Sequence, residues 1–147
     1  MSVVFATGGC QCGAVRYALD APPVTAEFCH CRMCQRAVGQ PAAAYADVDR
    51  AAFRWLTALP ANYRSSDIAQ RGFCAGCGTP LTFDAFAEPT LAITIGSLDD
   101  PDLVPVGGHC GIQSKVAWLT LNDSLPQRAT GDGVPAAPHW RAASVTA

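Results

Sequence analysis

Phe73-Cys74-Ala75-Gly76-Cys77-Gly78, in the middle of a chain of 147 residues, is a Cys-x-x-Cys followed by glycine. In this zinc-knuckle pattern a tight turn, permitted by the small Gly76 and Gly78, aims backbone N–H groups at two thiolates. The rival use of a Cys-x-x-Cys, a thioredoxin-like redox pair, needs a βαβ setting, and the flanking sequence offers none. Cys10-Gln11-Cys12-Gly13 supplies two more thiols. Four thiolates close a tetrahedral structural site, which would tie the first strand to the middle of the chain and contribute folding free energy directly.

A third group, Cys29-His30-Cys31-Arg32-Met33-Cys34, holds three cysteines within six positions. Three sulfurs on one ion leave a fourth position for water or substrate, the arrangement of catalytic sites. The same group becomes a second structural site if Cys110, His109 or His30 closes it, and spacing leaves the two readings even. In an extended segment His30 points away from an ion held by its neighbours, so it is not expected to be a ligand. Cys110, the eighth cysteine, reads first as a small buried hydrophobe. Spacing also leaves the pairing of groups open. Cys10 and Cys12 with Cys29 and Cys31 make an equally good four-sulfur set.

The rest of the composition bounds the setting. Half of the residues are hydrophobic and 15% are charged, too apolar for a disordered chain and of a size for one domain. No apolar run approaches the roughly 20 residues that span a bilayer. The N-terminus lacks the basic and apolar regions of a signal peptide, and a cytoplasmic protein is expected. There thiols stay reduced and grouped cysteines point to metal. A net charge of −2, with basic residues scattered, argues against nucleic acid as a partner. No phosphate-binding glycine loop, nucleophile elbow or Ser-His-Asp set is present.

Patterning predicts short strands separated by Pro and Gly turns, an all-β fold with at most short helices. Strands are expected over 13–19, 24–28, 42–48, 53–56, 61–64, 81–83, 91–95 and 116–121, and one or two helical turns over 32–38. A short helix is expected after Asp49 as N-cap, and a turn at Asp99-Asp100-Pro101-Asp102. Residues 1–126 form the predicted domain. Residues 127–147, rich in Ala, Gly and Pro, read as a loose tail.

Taken together, the motifs resemble the glutathione-dependent formaldehyde-activating enzyme family, which has S-(hydroxymethyl)glutathione synthase-like and centromere protein V-like members. The matching elements run in order: Gly9-Cys10-Gln11-Cys12-Gly13, the Cys29 group with Gly39, Tyr63-Arg64-Ser65, and Phe73 through Leu81. Then come Gly96-Ser97-Leu98-Asp99-Asp100-Pro101, Pro105 to His109, Trp118 and Asp123-Ser124-Leu125-Pro126. The resemblance implies a small zinc-anchored beta-tent fold and two Zn2+ per chain. It assigns Cys10, Cys12, Cys74 and Cys77 to a structural zinc, and Cys29, Cys31 and Cys34 to an open, catalytic one. It implies a carbon–sulfur lyase activity that joins glutathione to formaldehyde, or the reverse. The chain departs from the family pattern after His109, where Cys110-Gly111 replaces bulky apolar residues and thins the packing or opens space beside the site.

Zinc held by three thiolates carries net charge −1 and is a weak generator of hydroxide. It is better suited to keeping an incoming thiol ionised, and a thiolate is the nucleophile that adds to an aldehyde carbon. Arg32, Arg36 and Arg71 flank cysteine groups and are candidates for holding substrate carboxylates, against the plainer reading of solvated surface charges. His109 is a candidate for proton transfer. The expected partners are a glutathione-like thiol and a small aldehyde, and a homo-oligomer is compatible with the sequence. The competing readings are a non-catalytic zinc-stabilised binding module and an enzyme of the same fold acting on another thiol or electrophile.

Overall fold

The computed structural model describes residues 3–130. Ten strands and one helix follow in the order β1 (Ala6–Gly9), β2 (Arg16–Leu19), β3 (Thr25–Cys29), α1 (Arg32–Val38), β4 (Ala43–Asp49), β5 (Phe53–Trp55), β6 (Ala61–Arg64), β7 (Ala69–Phe73), β8 (Pro80–Ala85), β9 (Thr90–Thr94) and β10 (His109–Cys110). The fold is all-β, as the patterning predicts. A three-stranded sheet has the order β1-β2-β5, and a seven-stranded sheet the order β10-β3-β4-β9-β8-β7-β6. Every pair is antiparallel except β10 with β3. No helix among the described residues is long and apolar enough to cross a membrane.

Alternation explains how the sheets meet. In β4, Ala46 and Val48 are fully buried, two residues apart and so on one face. Leu81, Leu91 and Ile93 join them from the neighbouring strands, and Tyr17 and Leu19 join from the small sheet, in one apolar cluster. Tyr17 stacks on Phe53 at 5.4 Å and meets Trp55 edge-on at 6.1 Å. Its hydroxyl, which burial pushes up to a pKa of about 12, shares a 2.7 Å hydrogen bond with Ser97 Oγ. The predicted short helix after Asp49 is a single 3-10 turn, with the Asp49 carboxylate accepting from Ala51 N. The turn at Asp99–Asp102 leads into another 3-10 turn, Pro101–Leu103. The first predicted strand starts at Arg16 instead of Gly13, because residues 10–15 close a turn through Gly13 N to Cys10 O and Cys10 N to Val15 O.

The strand expected over 116–121 does not form. Trp118 is 74% exposed, and Leu119 N donates to Val116 O in a turn. At β10 the bridge is made by Gln127, parallel to His109, with His109 N donating to Pro126 O and Arg128 N to His109 O. Gln127–Thr130 of the predicted tail thus lie along the domain, where Arg128 pairs with Glu27 at 2.7 Å. The remainder of that tail lies outside the described residues.

Gly8 sits where the small sheet touches the segment after β9, bridging Leu98. A Cβ there would lie 2.4 Å from the Tyr17 hydroxyl oxygen and 2.6 Å from Ser97 O. One of these contacts is backbone, so the clash has no cheap relief. Gly8→Ala should destabilise the protein by about 1–3 kcal/mol, read as a lower urea midpoint. An unchanged midpoint would mean that the two sheets are not held at this spacing.

Candidate metal centres

Two groups of cysteines converge, each with its sulfurs within 4.8 Å of one another: Cys10, Cys12, Cys74 and Cys77, and separately Cys29, Cys31 and Cys34. The first group is assembled from the turn after β1 and the turn between β7 and β8. A register shift between Gly72 and Phe73 bends β7 just before Cys74, as a bulge does when it re-aims a strand. The sulfurs of Cys10 and Cys12 are 3.6 Å apart, and those of Cys12 and Cys74 3.7 Å. These spacings fit zinc, since a tetrahedron with arms of about 2.3 Å has edges of about 3.8 Å.

Local donors support charge on this cluster. Val15 N donates to Cys10 Sγ at 3.3 Å and lowers the Cys10 pKa. The Thr79 hydroxyl, 3.2 Å from Cys77 Sγ, and the Thr79 N–H bring Cys77 down to about 5. Cys12 receives a backbone hydrogen bond from Ala14, yet crowding by the sulfurs of Cys10 and Cys74 leaves it at about 11. Four sulfurs this close resist ionising together unless a cation balances them, so the donor set suits a divalent ion.

The second group is local. Cys29 ends β3, and Cys31 is the N-cap of α1, its sulfur accepting from Cys34 N at 3.4 Å. Cys34 lies in the first turn. Hydrogen bonds from Cys29 and Cys34 hold the Cys31 thiol far below its ordinary range, and the same crowding pushes Cys29 and Cys34 up. The largest upward cause at Cys29 is the thiol of Cys110, which the parallel pairing sets opposite it. Cys110 approaches Cys29 without joining the three-sulfur group. Gly111 packs against the same turn, where a Cβ would lie 2.9 Å from Cys31 N. The Cys110-Gly111 departure therefore leaves tight packing beside the site and not a thinned one.

The two histidines turn to each other. His30 Nε2 lies 2.9 Å from His109 Nδ1, and His109 Nε2 lies 3.0 and 3.1 Å from the two oxygens of Asp123. With Asp123 ionised, the consistent pattern has His109 donating to the carboxylate and accepting from His30. Both rings are buried, and His109 also stacks on Phe28 at 5.3 Å. Burial, then the neighbouring His109 and Lys115, push the His30 pKa down. His30 Nδ1 is the one buried side-chain nitrogen or oxygen among the described residues without a hydrogen-bond partner. Gln35 completes the frame, its Nε2 donating to His30 O at 2.6 Å and Ser114 O at 3.0 Å.

The three candidate arginines separate. Arg32 reaches along the helix to Gln35 Oε1. Arg36 lines a cavity beside α1. Arg71, on β7, donates to Cys34 Sγ at 3.5 Å and to Tyr45 Oη at 3.0 Å, with its guanidinium 4.7 Å from the centre of the Phe83 ring. Burial opposes the Arg71 charge, and Cys34 and Tyr45 more than offset it. Tyr45 and Asp123 carry no local spacing signal, because their partners Arg71 and His109 lie 26 and 14 positions away, and Gln35 joins His30 to Ser114, the latter 79 positions from it.

With this geometry in view, the comparisons with known proteins are specific. The family model for the glutathione-dependent formaldehyde-activating enzyme matches residues 5–110. The chain belongs to that family. Its match includes all eight cysteines. A crystal structure of a Rhodobacter sphaeroides protein is similar in fold, with a TM-score of 0.55 at 24% identity, covering 68% of this chain and 96% of that one. No curated protein matches. The family's name links it to glutathione and formaldehyde, and both cysteine groups can hold metal ions.

Proposed function

We propose that this chain is a zinc-dependent carbon–sulfur lyase that joins a glutathione-like thiol to a small aldehyde such as formaldehyde, or catalyses the reverse. The observation that carries the proposal is the Cys29, Cys31 and Cys34 group, three sulfurs within 4.8 Å and one of them bonded to Arg71. Cys10, Cys12, Cys74 and Cys77 would hold a structural zinc, and Cys29, Cys31 and Cys34 a second one with an open position. Bound there, zinc lowers the pKa of an incoming thiol and keeps it ionised at neutral pH.

The chain's own residues do the rest. Arg71 fixes the Cys34 sulfur and adds positive charge where thiolates gather. Both ring nitrogens of His109 are engaged within the protein, so His109 is assigned as a positioning residue that holds His30, and with it the backbone between Cys29 and Cys31. In the forward direction a new C–S bond forms as the thiolate adds to the aldehyde carbon, the C=O π bond opens onto oxygen, and that oxygen takes up a proton equivalent to the one the thiol gave up. The reaction is assigned to the cytoplasm, where thiols remain reduced.

NMR exchange between formaldehyde and S-hydroxymethylglutathione provides the test. Zinc-loaded protein should accelerate the exchange at least about tenfold over the spontaneous rate, the minimum expected when a nucleophile is held ionised at a site. Cys31→Ala should return it to that rate. Equal exchange with wild type, Cys31→Ala and no protein, zinc content verified, would overturn the proposal.

A further inference from the structure

Addition of a thiolate to an aldehyde gathers negative charge on the carbonyl oxygen, and a hydrogen-bond donor aimed at that atom speeds the step. The histidine pair does not supply it. Both ring nitrogens of His109 are bonded within the protein. A neutral His30 that donates through Nε2 carries only a lone pair at Nδ1.

Tyr45, half-buried on β4, has the required chemistry. It lines a cavity of about 530 Å³ between α1 and the β6–β7–β8 end of the large sheet. Arg71 Nη1 donates to Tyr45 Oη at 3.0 Å. A guanidinium has donors and no acceptor, so the phenolic oxygen accepts in this pair and its O–H is left to donate elsewhere. Burial pushes the Tyr45 pKa up, and the hydroxyl keeps its proton at neutral pH.

The same guanidinium ties this hydroxyl to the cysteines. Arg71 Nη2 donates to Cys34 Sγ at 3.5 Å, so one rigid fork runs from a sulfur of the site to the phenol. Its face rests 4.7 Å from the centre of the Phe83 ring, which fixes its plane. Strand register agrees. Cys29 pairs with Ala43, and Ala43 and Tyr45, two apart, share a face of the sheet, so Cys29 and Tyr45 project to the same side. A small carbonyl between them can take the thiol at carbon and the hydroxyl at oxygen.

We propose that Tyr45 is a catalytic residue, its hydroxyl donating to the carbonyl oxygen of the aldehyde while Arg71 holds the phenol in place. The assignment rests on the function proposed above. The C–S bond forms at the carbonyl carbon, the π pair moves to oxygen, and the Tyr45 O–H bonds to that oxygen. The proton that oxygen finally carries is equivalent to the one the thiol released, so Tyr45 ends unchanged.

Tyr45→Phe removes one oxygen and keeps the ring. In the formaldehyde exchange measurement, with the zinc-loaded full chain, the protein-dependent part of the rate should fall at least about tenfold. Zinc content and affinity for glutathione alone should match wild type. A second readout needs no turnover. S-(2-hydroxyethyl)glutathione and S-propylglutathione match in size and differ in a terminal hydroxyl. By calorimetry, Tyr45→Phe should shift the ratio of their affinities about threefold against the hydroxyl compound, the worth of one hydrogen bond.

A Tyr45→Phe rate equal to an accelerated wild type would overturn the assignment and leave the proposed function standing. An unchanged affinity ratio would overturn it as well. So would a rate that falls together with zinc content or glutathione affinity, because Tyr45 would then act only by holding Arg71. Wild type at the spontaneous rate would overturn the proposed function, and the role of Tyr45 with it.

Discussion

Cys74→Ala should yield a chain that no longer folds cooperatively. Cys74 is 1% exposed and belongs to the apolar cluster between the sheets. Its sulfur sits 3.7 Å from that of Cys12, on a segment 62 positions away. The four-sulfur group thus fastens the exit of β1 to the turn between β7 and β8. A structural zinc contributes about 10–16 kcal/mol of apparent binding free energy in small zinc domains. A domain's net stability is about 5–15 kcal/mol, so weakening this site removes most of what holds the fold. Circular dichroism melts and zinc stoichiometry check the expectation. Chelation of wild type should reproduce the Cys74→Ala melt, while Cys34→Ala should keep a cooperative transition and lose one zinc per chain. Wild-type melting and zinc content in Cys74→Ala would disprove the clamp.

His109→Ala should cost about 3–5 kcal/mol, from an unpaired buried donor on His30 and the space left by a buried ring. His30 Nε2 has His109 as its partner, and its Nδ1 already lacks one. Removing His109 would leave a wholly unpaired imidazole between two cysteines of the metal group. Zinc affinity at Cys29, Cys31 and Cys34 should fall with stability, because the backbone carrying two of those sulfurs loses its anchor. Asp123→Asn keeps an acceptor for His109 and should cost about 1 kcal/mol. Urea melts and zinc competition separate the two variants, and equal costs would mean that the histidine pair adds nothing beyond the contact with Asp123. The pH dependence follows in sign. Burial holds His30 neutral, with its folded-state pKa below the unfolded value of about 6.5. As pH falls through that value the unfolded chain takes up the proton first, so this contribution to stability is present above about 6.5 and declines below it.

Much of this architecture is legible in the sequence, for identifiable reasons. The β9 strand announces itself through branched residues, Ile93 and Thr94, that suit a pleated surface, and β4 through the alternation that buries Ala46 and Val48. The helix over 32–38 is predicted with its observed bounds. The strand expected over 116–121 fails because alternation signals strand propensity and says nothing of whether a sheet edge is free. Spacing finds the cysteine groups but cannot pair them, since pairing depends on which turns meet in space. The family resemblance assigns the pairing, and the structure converges on the same two sets. The His30–His109–Asp123 chain is silent in the sequence. Its members look like isolated polar residues until parallel pairing of β10 with β3 brings them together.

The two cysteine groups also differ in how far apart their members lie along the chain, and this sets the order in which metal and fold meet. Cys29, Cys31 and Cys34 fall within one hexapeptide, so an unfolded chain can already wrap them around an ion. Joining Cys12 to Cys74 closes a loop of 62 positions. By loop-closure entropy this costs about 2 kcal/mol more than closing a loop of five. Metal at the compact group is available to both the folded and the unfolded chain, and ligands shared by both states do little to shift the balance between them. Metal at the dispersed group is available only once the two sheets have come together. During refolding in limiting zinc, the compact group should fill early and the dispersed group only as folding completes, so a metal retained there would mark a chain that has reached its native topology.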